Sequence, residues 1–289
     1  MSLPHIGLAL IVNIIWGFSF VAAKVAMEQY SPLLFTAMRF LLVALLLAWF
    51  LRPVKGSMRM ILAISLLVGV VHFTLLYLGL SIAGGVSAVA ITIQLVAPFS
   101  LVMAVVFLGE TIRWRRVMGL LLAFGGIMIL GFDPIVFNHL NGVLLVAGAA
   151  FCMAGGIILM RKLSGVGAMA LQAWIGLISF PILLVFSFMF EQGQIEAVMT
   201  LNWRPLLALI FTVVITTIVA HGSWYYLVQR YPVSVLTPYG LLAPLFGVGF
   251  GVFLFDEPIS WKFIIGGVVT LIGVLIINLR TAGKLETKS

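Results

Sequence analysis

Residues 86–126 read VSAVAITIQLVAPFSLVMAVVFLGETIRWRRVMGLLLAFGG, and the pattern returns 147 positions later. Each copy is an apolar run broken by proline, a short loop with a glutamate, and a second apolar run with glycines. Without a gap, the second copy repeats several residue types of the first, among them Ser87 and Ser234, Glu110 and Glu257, Trp114 and Trp261, Gly119 and Gly266, and Gly126 and Gly273. A repeat of this kind in a membrane protein is typical of transporters.

The composition is that of a membrane protein. Hydrophobic residues make up 63% of the chain and charged residues 8%, against about 45–50% and about 25% in soluble proteins. The net charge of +8 does not indicate nucleic-acid binding, because the basic residues lie in short loops, where they orient membrane proteins. The single cysteine, Cys152, excludes a disulfide framework and a cysteine metal site, and we expect neither a metal nor a cofactor.

Ten apolar runs reach or approach the roughly 20 residues that a membrane-spanning helix needs. They cover residues 4–23, 33–51, 59–80, 86–108, 115–132, 139–160, 167–190, 206–228, 233–255 and 262–279. The loops between these runs leave no room for a soluble domain. We therefore expect an all-α integral membrane protein with ten transmembrane helices.

The basic residues predict the orientation of these spans. Ten spans place both termini on one side of the membrane, and the loops and tail of that side carry most of the basic residues: Arg52, Lys55, Arg59, Arg113, Arg115, Arg116, Arg161, Lys162, Arg230, Arg280, Lys284 and Lys288. The opposite loops carry only Lys24, Arg204 and Lys262. Because short loops rich in Lys and Arg stay in the cytoplasm, we expect both termini to be cytoplasmic.

The doubling divides the chain into two halves of opposite orientation. Residues 1–136 comprise spans 1–5, and residues 137–289 comprise spans 6–10 with a short cytoplasmic tail. Since five is an odd number, the two halves cross the membrane in opposite senses. His72 and Tyr77 in span 3 match His221 and Tyr226 in span 8, each pair five residues apart. Inverted repeats of this kind enclose a central site near the membrane midplane.

Short motifs of the first half resemble the EamA repeat. They are Trp16-Gly17-Phe18 in span 1, Arg39-Phe40 in span 2, and Pro98 followed by Gly109-Glu110 before the glycine-rich span 5. That repeat defines the ten-span branch of the drug/metabolite transporter superfamily, which includes exporters of aromatic and other amino acids in the bacterial inner membrane. The second half departs from the pattern, with Phe151 at the position of Trp16 and no arginine to match Arg39.

The resemblance implies a central cavity walled by spans 1, 3, 4, 6, 8 and 9. It also implies alternating access, in which the hairpins of spans 3–4 and 8–9 rock to open either side. Prolines inside spans 4 and 9 are the hinge candidates, namely Pro98, Pro238 and Pro244. A proline removes one backbone hydrogen bond and clashes with the preceding turn of its helix. A static kink is the alternative interpretation.

Ionisable residues inside spans are costly in lipid and therefore indicate function. His72 and His221 could bind substrate or couple transport to protons, or could be neutral histidines bonded within the bundle. Arg39 lies about 9–10 Å below the outer end of span 2. It could attract a substrate carboxylate or lock a gate, but its long side chain can also reach the surface, and we favour a structural role.

The substrate-cavity candidates are polar or aromatic side chains inside spans, close to the interface of the halves. They are Asn13, Trp16, Phe20, His72, Tyr77, Gln94, His221, Tyr225 and Tyr239, with Trp174 and Trp224 as weaker members. Asn13, Trp16 and Phe20 share nearly one helical face through their i+3 and i+4 spacing. Packing in the core is the competing interpretation for all of them.

The carboxylates of the repeat stand at helix ends. Glu110 and Glu257 lie in the short turns before spans 5 and 10, where a carboxylate interacts favourably with the helix dipole and caps free amides. We interpret both as structural. The sequence has no Asp or Glu in the middle of a span, which argues against a proton or sodium cycle built on a buried carboxylate.

Together these features favour a transporter that exports small neutral or zwitterionic metabolites, above all amino acids, across the lipid bilayer. Efflux of organic cations is the alternative within the superfamily, although a carboxylate inside the membrane would favour it and none is present. A non-transporting intramembrane enzyme or scaffold is the alternative from another class, but HExxH, GxSxG and paired intramembrane aspartates are missing. Monomer and dimer both stay open, because glycines in spans 5 and 10 suit a dimer face or internal packing.

Overall fold

The computed structural model describes residues 1–54, 56–109, 114–163, 165–200, 202–228, 230–231 and 239–282, which form a bundle of helices. The long helices in chain order are α1 (Leu3–Ala26), α2 (Pro32–Leu46), α3 (Met58–Ile82), α4 (Val86–Leu108), α5 (Trp114–Gly131), α6 (Leu140–Lys162), α7 (Ala168–Phe190), α8 (Trp203–Trp224), α9 (Leu242–Phe255) and α10 (Trp261–Ala282). Helical geometry continues after α8 to Val228. Two short helices, Pro134–Phe137 and Gln194–Met199, lie in loops.

Six helices of the described residues are long and apolar enough to cross a membrane, namely α1, α3, α4, α6, α7 and α8. Shorter apolar helices occur at Pro32–Leu46, Leu242–Phe255 and Trp261–Ile277. In lipid a helix satisfies every backbone hydrogen-bonding group within its own segment, which is why such apolar runs fold this way. The chain is therefore a multi-pass membrane protein. The count of ten crossings and the opposite orientation of the halves stay predictions.

Helices from the two halves of the sequence pack against each other. Extensive contacts join α5 to α10, α2 to α7, α1 to α9, and α3 to α6. Helix α4 also contacts α6, and α1 contacts α8. The pattern is symmetrical with respect to the two halves. When each helix is replaced by its counterpart five helices away in the chain, the α4–α6 contact becomes the α1–α9 contact, and the α1–α8 contact becomes the α3–α6 contact. The largest buried cluster draws residues from α1, α2, α3, α4, α6, α7 and α8, so the core lies between the halves.

The contact between α5 and α10 depends on glycine. A Cβ atom on Gly119 would lie 2.8 Å from the carbonyl oxygen of Gly273, and one on Gly266 would lie 2.7 Å from the carbonyl oxygen of Gly126. Small residues allow this close approach of two helix backbones, and such contacts hold helices together in membranes. The glycines of spans 5 and 10 thus pack inside the chain, while the oligomeric state stays open.

Three helices contain turns that are not α-helical. A π-helical segment covers Ser65–His72 in α3, and another covers Phe211–Ala220 in α8. One ends at His72 and the other directly before His221. Helix α4 narrows to a 3-10 turn at Ile93–Leu95, immediately before Pro98. The ring of Pro98 clashes with the carbonyl of Gln94 and offers it no N–H, which accounts for this break.

The repeat extends to the backbone geometry of two helix ends. Gly109 ends α4 with φ of 64°, and Asp256, 147 positions later, ends α9 with φ of 50°. Both residues are in the left-handed conformation that commonly ends helices. Asp256 is the one residue other than glycine with positive φ among the described residues. This turn aims the next residue, Glu257, back toward the bundle.

Candidate functional site

A cavity of about 410 Å³ lies between the two halves. It runs from the middle of α4 to the end of the bundle where α5 begins and α6 ends, and residues of α8 and α10 complete its wall. Its size is within the range of small-molecule sites. Aliphatic side chains form most of the lining, and the polar members with one aromatic ring are Gln94, Ser100, Arg116, Arg161 and Trp224.

The polar groups of this cavity are hydrogen-bond donors and cations. Arg116 is only 5% exposed, whereas Arg161, in the last turn of α6, is exposed. The hydroxyl oxygen of Ser100 is buried and has no hydrogen-bond partner. Gln94 lies in the 3-10 turn of α4. The described lining residues include two arginines and no Asp or Glu.

At the opposite end of the bundle, a carboxylate joins the two halves. Glu257 accepts hydrogen bonds from the backbone N–H groups of Val86 at 2.6 Å and Ser87 at 2.9 Å, which begin α4. It also pairs with Lys24 Nζ of α1 at 3.4 Å. The expectation that Glu257 caps α10 was wrong, because the left-handed turn at Asp256 directs its side chain to α4. Glu110 lies outside the described residues.

A second carboxylate connects two helices at the same end of the bundle. Glu191, directly after α7, accepts hydrogen bonds from Ser31 Oγ at 2.6 Å and from the backbone N–H groups of Leu33 at 2.8 Å and Leu34 at 3.1 Å. It therefore caps α2. This role was not predicted from the sequence, because Glu191 and its partners are about 160 positions apart and no local motif connects them.

Arg39 is buried inside the bundle and does not extend to the surface. Its side chain is 6% exposed. Nη1 donates to Tyr77 Oη at 2.5 Å, and Nη2 donates to Thr217 Oγ1 at 3.2 Å. The guanidinium also lies 4.6 Å from the centroid of the Phe73 ring. Arg39 thus joins α2, α3 and α8, and Tyr77 serves as its partner outside the cavity.

Both intramembrane histidines have backbone partners. His72 is 3% exposed, and its Nδ1–H donates to the carbonyl oxygen of Ala149 in α6 at 2.8 Å. The Nδ1–H of His221 donates to the carbonyl oxygen of Thr216 at 2.6 Å, within its own helix. A carbonyl can only accept, so Nδ1 carries the proton in each ring. Neither histidine is among the described residues that line the cavity. The buried His72 fits the neutral, packed interpretation, whereas His221 is exposed, with its ring 5.5 Å from that of Trp16.

The other candidates divide between the cavity wall and the core. Gln94 lines the cavity, and Trp16 stacks obliquely behind the lining residue Trp224, with ring centroids 5.1 Å apart. Asn13 is fully buried and donates to its own helix at the carbonyl of Ala9. The rest lie elsewhere: Phe20 is beside Gly247 of α9, Tyr239 packs with Ala9 and Leu227, and the side chain of Tyr225 lies outside the described residues.

The hinge candidates lie at irregular points of their helices where the structure describes them. Pro98 and Pro244 are both buried. A 3-10 turn precedes Pro98, and a turn at Leu241 precedes Pro244. Pro238 lies outside the described residues. A hinge at these two points stays a prediction.

The two arginines of the cavity were not among the residues predicted to line it. Arg116 and Arg161 were counted only among the loop charges that predict orientation. Their long side chains start at helix ends and line the cavity, so an arginine at such a position can serve both as an orientation charge and as a cavity residue. Arg116 lies in the first turn of α5 and Arg161 in the last turn of α6, and this position at helix ends was the available signal.

An all-helical, multi-pass membrane protein with a cavity between two related halves has the architecture of a transporter. The pattern of the family described as EamA-like transporter family matches residues 3–132 and again residues 140–279. The chain belongs to this family, as the motifs around Trp16 and Pro98 indicated, and thereby to the drug/metabolite transporter superfamily.

Known relatives cover nearly the whole chain. A "Probable amino-acid metabolite efflux pump" of Escherichia coli (strain K12) is 27% identical over 277 residues, which are 93% of each protein. An "Uncharacterized transporter YoaV" of Bacillus subtilis (strain 168) is 26% identical, covering 92% of this chain and 93% of that one. One solved crystal structure with 18% identity covers 99% of this chain with a TM-score of 0.65, a likeness of fold alone.

Proposed function

We propose that this protein exports small amino-acid metabolites across the inner membrane by alternating access. The observation that carries the proposal is the cavity of about 410 Å³ that residues of both halves line at one end of the bundle. At the other end Glu257 and Glu191 join the helices, and a second, mainly apolar cavity of about 400 Å³ lies between α1, α8 and α9. The Escherichia coli relative named as an amino-acid metabolite efflux pump supports the substrate class.

In the proposed orientation, the cavity opens to the cytoplasm. Arg116 and Arg161, which line it, belong to the basic set predicted to be cytoplasmic. Lys24, Glu191 and Glu257 belong to the outer loops. With ten crossings and inverted halves divided near residues 136 and 137, this arrangement is an inward-open state. An exporter loads its substrate in this state.

Opening the outer end requires the proposed rocking of two helix hairpins, α3–α4 and α8–α9. Helix α4 must release the carboxylate of Glu257, because this group holds the backbone N–H groups of Val86 and Ser87. The irregular turns before Pro98 and Pro244 provide points where α4 and α9 can bend with little loss of hydrogen bonding. The alternative of organic-cation efflux would be favoured by a carboxylate in the cavity wall, and the described lining residues include no Asp or Glu.

Transport by the purified protein in liposomes tests this proposal. Labelled threonine, methionine, phenylalanine and tryptophan, together with N-acetylated forms of the same amino acids, are offered with and without a pH gradient. Protein-free liposomes are the control. Accumulation that depends on the gradient indicates proton coupling, and equilibration that ignores it indicates a facilitator. Uptake of none of these compounds would refute the exporter and leave organic-cation efflux or a non-transporting scaffold or enzyme.

A further inference from the structure

His221 is an exposed ionisable side chain inside the apolar helix α8. It follows directly on the π-helical segment Phe211–Ala220, and both Thr217 and Ala220 beside it are buried. His72, its counterpart in the repeat, is only 3% exposed. Ionisable groups within a membrane span are costly, and they face the bundle interior or a water-filled space. The exposure of His221 therefore indicates an accessible space beside α8.

The contacts of the His221 ring place this space next to the cavity. Trp224, which lines the cavity, lies three residues further along α8, so the two side chains share one face of the helix. The ring of Trp16 in α1 contacts both of them, with its centroid 5.5 Å from that of His221 and 5.1 Å from that of Trp224. The three rings form a continuous aromatic surface that extends from the cavity wall to His221.

The hydrogen bond that His221 makes leaves one ring nitrogen available to a ligand. Its Nδ1–H donates to the carbonyl oxygen of Thr216 at 2.6 Å. In a neutral imidazole with the proton on Nδ1, the other nitrogen, Nε2, carries a lone pair and accepts hydrogen bonds. Among the residues that the structure describes, none forms a hydrogen bond with Nε2 of His221. The ligand group that suits this atom is a hydrogen-bond donor.

An amino group is the donor that fits these surroundings. A primary ammonium has three N–H donors, and the face of a tryptophan ring attracts cations, so Nε2 and the adjacent Trp16 favour the same group. Arg39 donates to Thr217, one turn before His221, and its positive charge opposes a ligand with a net positive charge. A zwitterion, which carries a carboxylate of its own, meets both conditions better than a simple cation.

We propose that Nε2 of His221 accepts a hydrogen bond from the amino group of the cargo, beside the ring of Trp16. The cargo class is then the free amino acid, and derivatives whose amino group is absent or acylated are poorer ligands. This inference rests on the proposed function and narrows its amino-acid metabolites to zwitterions with an unmodified amino group.

The test compares phenylalanine with 3-phenylpropanoate, which has the same ring and carboxylate but no amino group. The Kd of each is measured by calorimetry with the full-length protein in detergent, and uptake of phenylalanine is measured in liposomes. We expect phenylalanine to bind at least roughly tenfold more tightly, the value of one hydrogen bond to a charged group. H221F should abolish this advantage. H221Q should restore part of it, because the amide oxygen of glutamine can accept in place of Nε2.

The matched control is H72F. His72 bonds a backbone carbonyl through the same ring nitrogen but is buried, so its replacement should leave the ratio of the two Kd values unchanged. A ratio is used because a general disturbance of the bundle weakens both ligands alike. If H221F does not fold, nitrogen NMR of the histidine-labelled parent protein decides the question. Phenylalanine, but not 3-phenylpropanoate, should then shift the Nε2 resonance that is missing from H221Q.

The outcomes separate the two proposals. Equal Kd values for the two ligands, or a ratio that H221F leaves unchanged, would overturn the amino-group site and leave the exporter standing. A larger effect of H221F on 3-phenylpropanoate than on phenylalanine would also overturn it, since the ring would then contact the carboxylate. Binding with the expected ratios but without uptake would support the site and refute the exporter. Absence of both binding and uptake would refute both.

Discussion

Replacing Glu257 by glutamine should open the outer end of the bundle. The carboxylate holds two backbone N–H groups, of Val86 at 2.6 Å and Ser87 at 2.9 Å, and pairs with Lys24. Two hydrogen bonds to a charged acceptor contribute about 3–6 kcal/mol, and the amide of glutamine keeps about 1 kcal/mol through one neutral bond. The partly exposed Lys24 pair adds less than about 1 kcal/mol.

A net loss of about 3 kcal/mol corresponds to a roughly hundredfold larger fraction of molecules with a released α4. The assay uses a cysteine at position 87 in a C152S background, because Ser87 is buried beneath Glu257. A membrane-impermeant thiol reagent is added from outside. Labelling requires release of α4, so E257Q should speed it roughly a hundredfold.

The matched control is E196Q, which removes an exposed carboxylate from the same predicted face of the protein. It changes the attraction of the surface for a charged reagent in the same sense but contacts neither α4 nor α1 through a described hydrogen bond. Its labelling rate should equal that of the parent protein. If E257Q and E196Q label at the same rate, the carboxylate does not hold the outer end closed.

Three further predictions concern stability and are measured as thermal unfolding in detergent. D256G should be neutral or stabilising by about 1 kcal/mol, because glycine relieves the left-handed conformation at φ of 50°; a clear loss of stability would show that the aspartate side chain has another role. G126A should destabilise by about 1–3 kcal/mol, since its Cβ would lie 2.6 Å from the Gly266 carbonyl oxygen, whereas G125A, with open space around its Cβ, should have no effect; equal effects would contradict the close packing of α5 and α10. Y77F should cost about 1–3 kcal/mol by leaving a buried donor of Arg39 without its acceptor, and an unchanged melting temperature would mean that this bond is not made.

The features that could be predicted from the sequence are those that depend on local residue patterns and on the internal repeat. Apolar runs locate helices because lipid requires internal hydrogen bonding, and a helix lies over each predicted run. The break in α4 follows from Pro98. Gln94, which lies four residues before Pro98, was among the predicted cavity residues and lines the cavity. The EamA resemblance rested on motif order, and the match of the family to both halves confirmed it.

Contacts between residues that are far apart in the sequence could not be predicted. Glu257 has the signature of a cap for the helix that follows it, yet it binds a helix that begins 171 positions earlier. Arg116 and Arg161 have the signature of orientation charges, and only packing places them around a cavity. The π-helical segments at Ser65–His72 and Phe211–Ala220 were also not predicted from the sequence.

The contact of α5 with α10 determines which part of the protein can serve as a fixed reference. Backbone lies against backbone there, so no side chain can change rotamer to accommodate sliding. Spectroscopic labels at the exposed positions Met118 on α5 and Ile272 on α10 should keep a constant separation throughout the transport cycle. Distances from either label to α4 or α9 then measure the working motion directly, with the α5–α10 distance as the internal standard of the same molecule.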